Sequence, residues 1–196
     1  MDDALLQPLP TTEQQGVLEA RKEVKRAAGE REAAIRSLQE VDRATDAASH
    51  EKDQAQLEAE KVVSEQEGAR ASGNKDQADM AAHHKEVADL GVKVSNLKLD
   101  WLHQKRDWLE QTQDAADAHL GAARARAELE KCKAARDHDL KPQPQFAPST
   151  FEEQWQDLDA RWRDKKKSAA AEEQETLLKQ AKWQDEERRF RSLQSS

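Results

Sequence analysis

Residues 99–111 read LDWLHQKRDWLEQ, and Asp100-Trp101-Leu102 returns within them as Asp107-Trp108-Leu109. The two copies stand one heptad apart, in a chain that has only five tryptophans. Extended by alternate steps of three and four, the spacing runs Val87, Leu90, Val94, Leu97, Trp101, Gln104, Trp108, Gln111, Ala115, Ala118, Ala122, Ala125, Leu129 and Cys132. Only Gln104 and Gln111 are polar among these positions. An apolar seam sustained over so many heptads is the signal of a coiled coil. Trp101 and Trp108 are two successive turns of that seam. Leu102 and Leu109 widen it on one flank, which suggests more than one partner helix.

Upstream, the same spacing runs from Val17 through Ala20, Val24, Ala27, Arg31, Ala34, Leu38, Val41, Thr45, Ala48, Lys52, Ala55, Ala59, Val62 and Gln66 to Ala69. Seven of these 16 positions are alanine and four are polar, so this helix packs closely but thinly. Between the two seams, Gly73-Asn74 is a turn signal. Gly73 suits a left-handed helix end, and Asn74 with Gln77 resembles a capping box. Thr11 or Thr12 is a plausible N-cap for the first helix. Pro142, Pro144 and Pro148 exclude helix from a second break. Beyond it, Ser149 with Glu152, or Thr150 with Glu153, offers a capping box.

A third seam follows: Phe151, Trp155, Leu158, Trp162, Lys165, Ala169, Glu172, Thr176, Lys179, Trp183, Glu186, Phe190 and Leu193. Its middle is polar, and Leu177, Leu178 and Ala181 offer a shifted stripe that would carry the packing there. The expected fold is all-α, a long antiparallel helical hairpin with a third long helix packed back on it as a coiled-coil-like three-helix rod. Residues 1–10 are expected to be a disordered segment, 11–138 the hairpin with its turn near 72–75, 139–149 a proline-rich linker, and 150–193 the third helix. In the hairpin, facing residue numbers should sum to about 147 by equal spacing from the turn. Along the third helix they should sum to about 288, which places Trp183 between Trp101 and Trp108, and Trp155 and Trp162 over the alanines from Ala115 to Ala127. Trp101, Trp108, Trp155, Trp162, Trp183, Leu97 and Leu158 are the expected packing core.

Composition narrows the function. Charged residues make up 37% of the 196, and the formal net charge is −8 at pH 7, which argues against a nucleic-acid binder. No apolar run is long enough to span a bilayer. The start, MDDALLQPLPTT, has no basic region and no apolar core of a signal peptide. The single Cys132 excludes an intramolecular disulfide and a cysteine zinc site; its seam position reads as buried packing rather than redox chemistry. The six histidines, His50, His83, His84, His103, His119 and His138, have no ligand spacing, so no metal site is expected. There is no phosphate loop, nucleophile elbow or paired-carboxylate motif. No catalytic residue and no cofactor is therefore assigned. The basic run RWRDKKK, Arg161 to Lys167, could take an acidic partner or lipid head groups, but Asp164 interrupts it and reads it as a solvated helix face.

KLDWL at 98–102 and ARARAELEKCK at 123–133 resemble the helical part of coiled-coil envelope lipoproteins of myxobacteria and related Gram-negatives. That resemblance implies a structural or scaffolding role in the periplasm or cell envelope, reached through a trimmed signal segment; the alternative is the cytoplasm. The lipobox cysteine of such proteins is not at this start, so membrane contact is expected only with lipidation in the full-length protein. The leading functional expectation is a non-enzymatic spacer or scaffold. The alternatives are a lipid-surface module similar to BAR domains, which the charge disfavours, and a metal-binding bundle. A third helix shorter than the hairpin would leave Val62, Val63, Val87, Leu90 and Val94 as the surface for a protein partner or for homodimerisation.

Overall fold

The structure is a computed structural model that describes Pro10, residues 14–138 and residues 148–195. Among these residues the chain is all-α, with three long helices and no strand. They are α1 (Gln15–Ala71), α2 (Lys75–Asp137) and α3 (Pro148–Gln194). The expected segment 1–9, the caps at Thr11 and Thr12, and residues 139–147 of the linker lie outside the described residues.

Helix formation follows from composition, since alanine, glutamate, lysine, arginine and glutamine dominate all three segments and lose little on entering a helix. The break between α1 and α2 is set by two residues. Gly73 has φ +69°, a left-handed conformation that costs a Cβ-bearing residue but not glycine. Asn74 caps α2: its Oδ1 accepts from the Asp76 and Gln77 N–H groups at 3.1 and 3.4 Å. The reciprocal half of the expected capping box is not formed. The Gln77 Oε1 faces the Ser72 hydroxyl at 3.1 Å, and the Asn74 N–H donates to that same hydroxyl at 3.4 Å.

The third helix begins earlier than its proline suggests. Pro148 and Ser149 are helical, although the sequence puts them in the linker. Proline is tolerated at a first helical position because its missing N–H would have no partner there. Ser149 and Thr150 thus lie inside the helix instead of capping it.

The chain divides into two compact units, Met1–Leu38 with Leu109–Ala171, and Gln39–Trp108 with Glu172–Ser196. Each holds part of all three helices. In the first, Arg31 pairs with Asp117, and Ala27 packs on Leu120 and Ala123. In the second, Arg106 Nε meets Asp42 at 2.9 Å, Lys98 pairs with Glu51, and Ala48 packs on Leu99 and Leu102. Within both units α1 and α2 are antiparallel in the expected register.

Every position of the α1 and α2 seams is buried or half-buried, while Asp, Glu, Lys and Arg dominate the exposed positions. More than half of the buried apolar side chains are alanine, and the largest that are fully buried are only Leu129, Val17 and Cys132. Small side chains let the helix backbones approach closely but remove little apolar area per residue. Replacing Gly73 by Ala should destabilise the protein by about 1 kcal/mol, with Asn costing less, because only the left-handed conformation is penalised. Chemical denaturation of the two variants measures this; equal stability of Gly73→Ala and wild type would contradict it.

Candidate functional site

In the unit of residues 39–108 and 172–196, the seam of α3 keeps its polar middle. Leu177 and Leu178 are 51% and 66% exposed and Ala181 is also exposed, so the shifted stripe expected to carry the packing does not. Polar groups occupy the seam in its place. Gln104 of α2 is buried; its Nε2 donates to Glu172 Oε2 at 2.6 Å, and its Oε1 accepts from Lys179 Nζ at 2.7 Å. The buried Thr176 hydroxyl donates to the Glu172 carbonyl at 2.9 Å and lies 3.3 Å from the Gln104 carbonyl. One glutamine side chain therefore bridges a carboxylate and an ammonium that stand two turns apart on α3, with Thr176 on the turn between. Charge-assisted bonds of this kind contribute about 1.5–3 kcal/mol each.

Near this layer, the Trp101 and Trp183 rings stack at 4.8 Å with planes 8° apart, and Lys105 Nζ stands 5.3 Å from the Trp101 ring. Both indole N–H groups are buried without a hydrogen-bond partner, so ring area and stacking carry this contact. Trp183 lies on Trp101 and not between Trp101 and Trp108, about one turn from the expected pairing, while Thr176 on Gln104 and Phe190 on Gly91 set α3 about a heptad from the expected alignment.

Further along the same unit, α1, α2 and the last turn of α3 enclose an open groove of about 590 Å³. Its floor is Val62, Val87, Ala88 and Gly91, with Phe190 closing one end. Glu58 and Glu65 form its α1 rim, and His83 and His84 its α2 rim. A Cβ at Gly91 would stand 3.3 Å from the edge of the Phe190 ring, which would have to move by a few tenths of an ångström to admit it. Phe190 is thereby seated directly on the α2 backbone.

The unit of residues 1–38 and 109–171 has a different buried polar group. His119 is 3% exposed. Its Nδ1 is 2.7 Å from Glu30 Oε2 and its Nε2 is 2.7 Å from Glu23 Oε1. A neutral imidazole carries one N–H, so both contacts are hydrogen bonds only when the ring is protonated. The Trp162 ring stacks on it at 4.2 Å and 9°, and Lys166 Nζ is 5.6 Å from that indole. Burial would raise the Glu23 carboxyl, but hydrogen bonds from His119 and Arg26 outweigh it and hold it below its ordinary value of 4.5.

The expected core residues Trp101, Trp108, Trp155, Trp162, Trp183, Leu97 and Leu158 are all half-buried, none completely. Of the expected interaction surface, Val62, Leu90 and Val94 are buried, Val87 is half-buried, and Val63 is 39% exposed. Leu90 and Val94 are thus already covered, because α3 extends to Gln194 and Phe190 reaches Gly91. Cys132 is fully buried and burial pushes its thiol up, which disfavours reactivity. In RWRDKKK, Arg161 pairs with Asp157 at 2.7 Å, Arg163 with Asp159 at 2.6 Å, Lys165 with Asp114 at 2.8 Å and Lys167 with Asp164 at 3.6 Å. Among the described residues no group of three or more His, Cys, Asp or Glu is placed to hold a metal ion, and no helix is long and apolar enough to cross a membrane. The Gln104 layer and the His119 contacts went unread in the sequence. The available signal was the seven-residue spacing of Glu23 and Glu30, which the hairpin register sets on either side of His119.

Gln104→Leu should cost about 1–3 kcal/mol, since it strands the buried side of Glu172 and Lys179; an unchanged denaturation midpoint would show that the layer contributes nothing. For Glu23 the depressed pKa fixes the sign: its contribution is complete above pH 4.5 and is lost as pH falls through the folded-state value. Thermal melts of Glu23→Gln should accordingly fall less steeply than wild type as the solution is acidified below 4.5, and parallel curves would contradict the assignment. No family model, curated protein or solved structure matches this chain.

Proposed function

We propose that this chain is a non-enzymatic structural or adaptor protein, a spacer or scaffold that acts through helix–helix contacts. One observation carries the reading. Among the described residues the buried polar side chains, Gln104, His119 and Thr176, are engaged across helix interfaces, with Glu172 and Lys179, with Glu23 and Glu30, and with Gln104. Polar groups used in this way fix how helices meet. The likeness of KLDWL and ARARAELEKCK to envelope lipoproteins supports a scaffold of the periplasm or cell envelope, with the cytoplasm as the other compartment.

A lipid-surface role needs free positive charge on one face. Four of the five cations of Arg161–Lys167 stand beside aspartates within 4 Å and the fifth, Lys166, stands over the Trp162 ring, which weighs against it. Co-sedimentation with anionic liposomes at low salt should leave the protein in the supernatant. Photo-crosslinking in cells from exposed helix positions should yield discrete heavier adducts that contain a second protein. Pelleting with liposomes, or adducts to lipid alone, would overturn the scaffold reading.

A further inference from the structure

Building on the adaptor reading, we infer that the groove of residues 55–65 and 83–91 is a docking site for a partner's amphipathic helix with an apolar stripe and an arginine- or lysine-bearing flank. Three observations converge on that chemistry.

The first is shape and polarity. The groove is open, about 590 Å³, with an apolar floor of Val62, Val87, Ala88 and Gly91. Met80 stands three, four and seven residues before His83, His84 and Val87, on the same helical face, and is 61% exposed. It extends the apolar floor with an adaptable side chain. A strip bounded by two parallel rims accepts a helix whose anchors recur every three or four residues.

The second is the way α3 fills the adjoining part of the same interface. Its Phe190 ring rests on Gly91, and Arg191 lines the same hollow as Glu51, Lys98 and Trp183. An aromatic knob is thus the mode by which this interface already takes a helix, and Arg191 pairs with Glu187 of α3 at 2.6 Å. Along α1 the sequence then repeats its acid at heptad spacing, Glu51, Glu58 and Glu65. Glu51 is engaged by Lys98, and Glu58 and Glu65 rim the groove.

The third is charge. Among the described residues Glu58 pairs with Lys61 of its own helix, at 3.2 Å, both groups being more than half exposed. Such a pair is weak and is readily exchanged for one with an incoming guanidinium. The net charge of −8 favours a basic partner over an acidic one.

The test uses two synthetic helical peptides of about three heptads, leucine and phenylalanine at the seam positions, one with arginine flanks and a twin with glutamate flanks. Fluorescence anisotropy against the full chain should show the arginine peptide binding and the glutamate twin not. The charge reversal Glu58→Lys with Glu65→Lys, at two exposed positions, should weaken the arginine peptide by at least about tenfold and admit the glutamate twin. Val87→Arg should block both, and a thermal melt of each variant shows that it is folded. Failure of both peptides to bind, or binding that the charge reversal and Val87→Arg leave unchanged, would overturn the inference. So would a concentration-dependent dimer in sedimentation that Val87→Arg abolishes, since the groove would then belong to a second copy of the chain. None of these outcomes touches the scaffold reading, which stands or falls on the crosslinks and liposomes.

Discussion

A seam built mainly of alanine draws helices together without saying where along one another they should stop. Each alanine is the same size as the next, and a slide of one heptad replaces one small contact by another. That degeneracy is the constraint behind the rest of the molecule. In this chain it is countered at a few positions, where a side chain makes a contact between helices that alanine cannot. Gln104 between Glu172 and Lys179 is one, the Trp101–Trp183 stack is another, and His119 between two glutamates is a third.

These contacts differ in what they contribute. The aromatic stack removes apolar area from water and tolerates small displacements, so it adds stability with modest specificity. The glutamine layer contributes in the opposite proportion. Desolvating a carboxylate and an ammonium offsets much of what their bonds return, and an apolar layer of equal volume would be at least as stable. Its consequence is the choice of face and not of register: α3 must turn its Glu172–Lys179 stripe to α2, and a slip of one heptad would bring Lys179 and Glu186 to the same amide. His119 combines both roles, with an indole on its face and a carboxylate at each ring nitrogen.

Much of this organisation was legible in the residues. The repeat of DWL, the sixteen-position seam of α1 and the Gly73-Asn74 break are enough for the first two helices and for their register, since that register follows from equal counting away from a tight turn. The third helix was legible as a helix but not in its pairing. A proline-containing connection gives no origin from which to count, so the alignment was inferred from matching large residues to small ones, and it missed by a heptad. Hydrophobicity also misplaced the middle of α3. Leu177 and Leu178 looked like the better stripe, yet they face solvent while Thr176 and Lys179 take the seam, because the helix cannot rotate there without pulling Trp183 and Phe190 out of contact. The expected interaction surface was half legible for a similar reason. The region was right in outline, but Leu90 and Val94 are covered by a helix whose register was read too far along.

The groove follows from the same economy of large side chains. Where α3 is present its aromatics make up for the alanines opposite them, as Phe190 does at Gly91. Past Phe190 the floor is valine and alanine, and the α3 residue that lines it there is Gln194, which brings no large apolar side chain. A bound helix would bring such side chains, and the apolar floor would set most of its affinity. The glutamates at heptad spacing would contribute differently, since rim charges act mainly on encounter rate and on the choice among partners. A docking site with weak apolar anchors and a strong sign preference discriminates by charge pattern, and its binding should weaken as salt screens the rim. That combination suits an adaptor, which must select a helix without needing to bury a large core to hold it.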